Sequence, residues 1–515
     1  MQRTSDNSAI GKSSANNLGD VLGVIERVIN DNDKLILTVS SRLSYNDLVN
    51  RLFIGSYIII ANPSTGSELL LRVNKVESTI NPSPSISGAN ATYVKIVGKF
   101  IISRIRSNDG HRYTSLLMLP ISGSLVIYPG SEVIRDFLGL RGNLLIGKAL
   151  INGYDIPITI NEDALMRGLL IMGQPGCGKS LLIKGLIKEL RLSNYGNIVV
   201  LDRTGEYTRS LVENGIDVLA LIPVDLMRLG RPIDIDELRR YVVDMLRMLG
   251  FRSRVKISMS ASSDYGIKFS AEFQGGGLGR LGVIPLSIRF RWFIERAINY
   301  LNPEIRHVIT ALMLENENAL NTVQAFISAV RDPELLNMVG KESVNKAIDF
   351  AYSLRDSGFF DAVVNAGNRE VDISVFSPLR ALRGNVVIID LHGLPIPLMD
   401  IYEVVLIEDI VKWIMRSKSD KTLLIVDNAE GLMYNEDLVN SLINSMRISK
   451  YHGVSFIVAT RSFSRKLYNE FSNFIIMRMS KPLNLSCPEG ANLLNNEFIL
   501  ISPLLNIKCI KGSVA

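Results

Sequence analysis

The chain has 515 residues, 47% of them hydrophobic and 21% charged, with a formal net charge of +6. That length exceeds one ordinary core and predicts two or three domains, and the balance of apolar and charged residues excludes a disordered chain. No apolar run reaches the roughly 18 residues needed to cross a bilayer, so the expectation is no membrane insertion and a cytoplasmic location. A mild basic excess permits an anionic partner without demonstrating one. Cys177, Cys487 and Cys509 have no paired spacing, which argues for a reducing interior and against a disulfide framework or a zinc site.

Residues 1–17 are Ser/Asn-rich without an apolar core, and read as a mobile tail rather than a signal peptide. Residues 18–140 are strand-like. Apolar or alternating runs at 21–28, 35–39, 57–61, 69–76, 93–102 and 115–119 are separated by Asn/Asp, Pro and Gly turn signals. Short strands at such spacing predict a small antiparallel β-barrel. Pro82-Ser83-Pro84-Ser85 and Ser87-Gly88 mark a loop inside it.

The pattern changes at about 141. Short continuous apolar runs at 169–172, 198–201, 386–389, 423–426, 454–459 and 474–477 alternate mostly with helical stretches. Buried parallel strands look like this, so 141–515 reads as an α/β domain. Four runs end in a polar residue, Asp202, Asp390, Asp427 and Thr460. Ligands of open α/β sheets sit beyond the carboxyl ends of the strands, so these ends predict one composite nucleotide site. The interval from about 222 to 382 is largely helix-like and reads as a helical insertion. Within it Gly277-Leu278-Gly279-Arg280-Leu281-Gly282 fits G-x-G-x-x-G. Without a clear strand before it or a helix after it, that segment reads as a flexible loop rather than a dinucleotide site.

Gly173-Gln174-Pro175-Gly176-Cys177-Gly178-Lys179-Ser180 matches G-x-x-x-x-G-K-[ST] between an apolar strand and a helix. That context is what a phosphate-binding loop needs. Backbone N–H groups wrap the phosphates, the glycines permit the turn, and the helix N-terminus adds partial positive charge. Lys179 is expected at the β/γ-phosphates of ATP and Ser180 at Mg²⁺. Cys177 reads as a small filler in this loop.

Further residues give a resemblance. Leu201-Asp202-Arg203-Thr204-Gly205-Glu206-Tyr207 resembles the D-x-x-G-E-Y element of the HerA family, within the HerA/FtsK group of ring-shaped ATPases. Ile146-Gly147-Lys148 and Ile156-Pro157-Ile158 resemble that family's lead-in, 386–394 its later strand ending in Asp-Leu, and 453–462 its sensor strand. The resemblance implies a RecA-like P-loop core with a helical insertion behind a small antiparallel barrel. It also implies a homo-hexamer that couples ATP hydrolysis to movement along DNA, and a NurA-like nuclease as partner in DNA end processing.

Two positions depart from the family's pattern. It usually reads Asp-Glu-Ala-His where this chain has Asp427-Asn428-Ala429-Glu430. Asp427 can still hold a Mg²⁺-bound water, but an amide at 428 is a very poor proton acceptor. Glu430 and Glu206 are the candidate substitutes; a slow or inactive ATPase is the third reading. The sensor Gln is replaced by Arg461, either a stabiliser of phosphoryl charge or an ordinary surface residue. For the family's trans-acting arginine the best-aligned position is Lys450, with Arg447 one turn earlier; both also suit a helix C-terminus.

DNA contacts are not legible directly. Arg252, Arg254 and Lys256 form one basic cluster and Arg289, Arg291 and Arg296 another, each either a channel lining for phosphates or a solvated face. Besides a HerA-type translocase, two readings stay open: a nucleotide-binding scaffold that hydrolyses little, and a motor for DNA packaging or conjugative transfer.

Overall fold

The computed structural model describes residues 18–514 apart from 32–33, 79–90, 108–109, 252–254, 263–265, 274–277, 367–368, 376–385, 418–420 and 480–492. The expected tail at 1–17, the loop at 82–88, Arg252, Arg254, Gly277 and Cys487 lie outside the described residues. The chain divides into two compact units, Met1–Glu162 together with Lys481–Ala515, and Asp163–Ser480.

The first unit opens with β1 (Gly19–Asp31), β2 (Lys34–Ser41), β3 (Tyr57–Ala61), β4 (Ser67–Ser78), β5 (Thr92–Ser107), β6 (Gly110–Thr114) and β7 (Leu125–Pro129). Antiparallel pairing runs β2-β1-β7-β3-β4-β5, and β2 pairs again with β5, which closes a six-stranded barrel. Closure removes the unpaired strand edges that an open sheet would present. In β2 every second residue, Leu35, Leu37 and Val39, is buried, as the two-residue period of a strand requires. These side chains meet Ile58, Leu71, Val94 and Val126 in one core. One expected strand is absent: 115–119 has no strand pairing, and the sixth barrel strand is β7. Leu116 and Leu119 are exposed, Leu117 alone of the run packs part-buried against the barrel core, and Pro120 cannot donate to a ladder. The same unit holds β8 (Leu144–Ile151) and β9 (Tyr154–Ile160).

The second unit holds β10 (Leu169–Met172), β11 (Asn197–Asp202), β12 (Val218–Pro223), β13 (Ile233–Asp234), β14 (Val255–Ser262), β15 (Gly266–Phe273), β16 (Leu281–Ile288), β17 (Val363–Ala366), β18 (Arg369–Asp372), β19 (Ser374–Val375), β20 (Val386–Asp390), β21 (Thr422–Val426), β22 (Val454–Thr460) and β23 (Asn473–Met477). Its parallel sheet runs β16-β12-β20-β11-β21-β22-β10-β23. Every residue of β10, β11, β20, β21, β22 and β23 is buried, as expected for strands covered on both faces. One strand, β22, lies between β10 and β21, so the loops after those two strands open onto the same edge of the sheet. This is the RecA-like P-loop arrangement.

The helices expected in the insertion are present: Ile235–Met248, Phe290–Ala297 and Lys341–Asp356. The interval also carries strands that the sequence pattern did not suggest. The hairpin β14–β15 extends the sheet antiparallel beyond β16. Leu281 and Gly282, expected in a loop, already belong to β16. Pro285 lies within that strand; it pairs with Ile222 on one side only, and the pairing with β15 ends at Val283. The last strands, β24 (Glu497–Ile501) and β25 (Ile510–Val514), return to the first unit, where β25 pairs with β8. Cys509 there is disulfide-bonded, so the expectation of unpaired cysteines does not hold for it. Among the described residues no helix is long and apolar enough to cross a membrane.

Candidate nucleotide site

The loop after β10 leads into a helix at Lys179–Leu192 whose N-cap is Gly178. Gly176 and Gly178 have φ of 72° and 105°, in the left-handed region that glycine tolerates best. Gly173 is glycine for space: a Cβ there would fall 2.5 Å from the sulfur of Cys177, which is fully buried. The filler role expected of Cys177 is thus a packing contact inside the loop. Gln174 donates its N–H to the carbonyl of Arg478 at 2.9 Å, while Pro175 and Gly176 are exposed. The Lys179 ammonium donates to the carbonyls of Gly173 and Gln174, at 2.7 and 3.1 Å, so its charge caps the loop.

Asp427 follows β21, and is almost fully buried. Its Oδ2 accepts the Ser180 hydroxyl at 3.1 Å and the Tyr207 hydroxyl at 2.7 Å; its Oδ1 accepts the Asn428 N–H at 2.8 Å. Burial pushes this carboxyl above its ordinary pKa, against the three donors that lower it. Ser180 and Asp427 therefore fit a magnesium ion. One hydroxyl and one carboxylate at a phosphate loop match the way this ion is held, with phosphate and water completing the shell.

Asp202 closes the loop after β11. Its Oδ1 accepts from the Thr204 and Gly205 N–H groups, at 3.0 and 2.9 Å, and its Oδ2 accepts from the Tyr207 N–H at 3.0 Å. Burial raises its pKa against these bonds. Both oxygens are thus occupied by the Asp202–Tyr207 turn, which presents Glu206 and Tyr207. Glu206 lies against Ser180 and takes the Lys184 ammonium on Oε2 at 3.1 Å. Burial pushes the Glu206 carboxyl up, but hydrogen bonds from Ser180 and Lys184 outweigh it and hold the group below its usual value.

Asn428 has φ of 56°, a left-handed turn directly after Asp427. Asparagine is among the few side chains at ease there. Glu430 is buried, and its Oε1 accepts the Arg461 N–H at 2.9 Å; the Arg461 guanidinium itself is half exposed. Arg447 forms a forked ion pair with Glu470, and Lys450 reaches the Glu470 carbonyl at 3.2 Å. Both candidate trans-acting cations thus have a partner in their own chain. Asp390, beside Asp202 on β20, accepts the His392 N–H at 2.8 Å on Oδ1, while its buried Oδ2 lacks a hydrogen-bond partner. Burial and the neighbouring Asp202 push its pKa up to about 7.

Sequence reasoning passed over two groups. Arg203 is buried between Asp400, at 2.6 Å, and Glu403, tying the end of β11 to the helix Ile396–Ser417. A guanidinium inside the D-x-x-G-E-Y element was the only available signal. The other group is the Tyr207 hydroxyl, quoted within that element and given no role. The second basic cluster is compensated: Arg289 pairs with Asp372, Arg291 with Glu295 and Glu317, and Arg296 with Asp409.

Several solved structures are similar to the chain. VirB4 of Thermoanaerobacter pseudethanolicus is 12% identical with a TM-score of 0.46, over 73% of this chain and 96% of that one. The bacterial conjugative coupling protein TrwB is 12% identical at a TM-score of 0.41, over 75% and 92%. TrwB in complex with ADP and Mg²⁺ is 14% identical at 0.39, over 70% and 87%. No curated protein matches. The family described as "Helicase HerA, central domain" matches residues 144–410, just over half of the chain. With the phosphate loop, the D-x-x-G-E-Y turn and strands β10, β11, β12, β16 and β20 of the parallel sheet inside that span, the chain belongs to the HerA family of P-loop ATPases.

Proposed function

We propose that this chain is an ATP-driven DNA translocase that works as a homo-hexameric ring. The observation that carries the reading is the joined phosphate and metal half-site. Lys179 and the loop N–H groups stand on one side, Ser180 and Asp427 on the other, in a chain of the HerA family. Mg²⁺ held there would supply positive charge against the phosphates of ATP. Ser180 and Asp427 would hold it, Lys179 would exchange its two carbonyl partners for phosphate oxygens, and the loop glycines would let the backbone close on the triphosphate.

Asn428 cannot take a proton from the attacking water, so another group must. Glu206 suits that task better than Glu430. Each has one oxygen engaged, Glu206 by Lys184 and Glu430 by the Arg461 backbone, but Glu206 is partly exposed and touches Ser180, whereas Glu430 is buried. Arg461 flanks the sheet edge from within the chain, and Lys450 or Arg447 would become the cation offered to a neighbouring subunit on leaving Glu470. DNA is the partner without sequence preference; a NurA-like nuclease belongs to the same reading. The absence of a carboxylate at 428 favours one second reading, a nucleotide-binding scaffold with little turnover.

A triplex-displacement assay separates the two. A translocase strips a third strand from duplex DNA only with hydrolysable ATP, and Lys179→Ala loses this. A scaffold binds nucleotide but leaves the triplex intact.

A further inference from the structure

Tyr207 ties the D-x-x-G-E-Y turn to the Asp427 carboxylate in the metal half of the site. It is fully buried. Its two polar ends are fixed separately: the N–H donates to Asp202 at 3.0 Å, and the hydroxyl donates to Asp427 Oδ2 at 2.7 Å. The Lys184 ammonium sits 5.1 Å from the ring centroid, a cation–π distance. Gly205, at φ 72°, gives the turn the curvature that brings the ring under the Asp427 carboxylate.

We propose that Tyr207 is a positioning residue for magnesium: its hydroxyl holds the Asp427 carboxylate in the orientation that the ion requires. This rests on reading the site as one for Mg-nucleotide. The Ser180 hydroxyl would share its oxygen with a cation, whereas Tyr207 and the Asn428 N–H serve Asp427 alone. They put one donor on each carboxylate oxygen, and together they fix both the position and the rotation of the group. Without the phenol, Oδ2 loses its shorter, buried donor, and the carboxylate can swing. Partners of this kind orient metal ligands, and their loss typically costs about 10- to 100-fold in metal affinity.

The test is Tyr207→Phe, which keeps the ring and removes the hydroxyl. Binding of a fluorescent ADP analogue is followed in EDTA and against rising free Mg²⁺, with Asp427→Asn alongside. The expected result is an affinity in EDTA within about twofold of wild type, and a half-saturating Mg²⁺ concentration raised about tenfold or more. Superimposable Mg²⁺ titrations overturn the assignment. An equal loss with and without Mg²⁺ does so as well, since it marks a merely structural role. As a check that does not depend on the folding of the variant, 3-fluorotyrosine at position 207 should show a fluorine resonance that moves when Mg²⁺ joins the ADP complex. A resonance that stays put contradicts the proposal. Wild-type protein that fails to bind ADP under any condition removes the underlying nucleotide site; wild-type binding whose Mg²⁺ dependence survives in Tyr207→Phe removes only the role given to Tyr207.

Discussion

Ser180 donates its hydroxyl to Asp427 over 3.1 Å, across 247 positions of sequence. Nothing local produces that contact. It arises because β10 and β21 lie on either side of β22 in one parallel sheet, so that the residues beyond their carboxyl ends converge. The helix that begins at Lys179 places the hydroxyl, and β21 places the carboxylate. The chemistry assigned to the chain follows from this pair and from what stands next to each member.

Asn428 stands next to Asp427 in a left-handed turn, with φ of 56°. Glutamate resists that conformation, so Asn428→Glu should lose roughly 1 kcal/mol of stability and gain no ATPase rate. Asn428→Gly should keep wild-type stability. Denaturant unfolding and steady-state turnover check both. A rate gain of about tenfold or more in Asn428→Glu would instead show a site that has lost its base.

Glu206→Gln should lower kcat by about 100-fold with little change in KM, the usual scale for loss of a general base. Glu430→Gln should cost less than about tenfold, because its carboxylate serves the Arg461 backbone. Steady-state kinetics on the two variants in parallel decides this, and the reverse ranking assigns the base to Glu430.

Arg203→Met should destabilise the protein by about 3–5 kcal/mol, since it strands Asp400 and the fully buried Glu403 without their cation. Chemical denaturation measures it. A loss under about 1 kcal/mol would mean that water or a rearranged side chain takes over the charge.

Asp390 gives a pH dependence. Its pKa is pushed up to about 7 by burial and by Asp202, whereas an unfolded aspartate titrates near its ordinary value of 3.8. The folded state therefore binds the extra proton. The stability this contributes is fully present below the unfolded value and is lost as pH rises through about 7. Asp390→Asn should remove this slope, so its Tm advantage over wild type grows from pH 5 to pH 8. Parallel Tm curves would show that Asp390 does not titrate in that window.

Much of this was legible in the sequence because its signals are local. The phosphate loop is eight consecutive residues between a strand and a helix. The six apolar runs chosen for the sheet are β10, β11, β20, β21, β22 and β23. The failures were contextual. The run at 115–119 has strand-like composition but is not paired as a strand. Pro285 argued only against a helix after the Gly-rich segment; the parallel partner β12 and the early end of the β15 pairing show that it sits in a strand. Asn428 looked like a chemical loss alone, whereas its backbone supplies a conformational reason for the residue. Tyr207 and Arg203 stood in plain view inside a quoted motif, but their partners, Asp427, Asp400 and Glu403, are about 200 residues away.

The most direct measurement is steady-state ATP turnover by the wild-type chain and by Lys179→Ala, each with and without duplex DNA at a stated salt concentration. The account predicts wild-type turnover that DNA raises several-fold and that Lys179→Ala abolishes. Wild-type turnover no faster than that of Lys179→Ala, with DNA present, would contradict it.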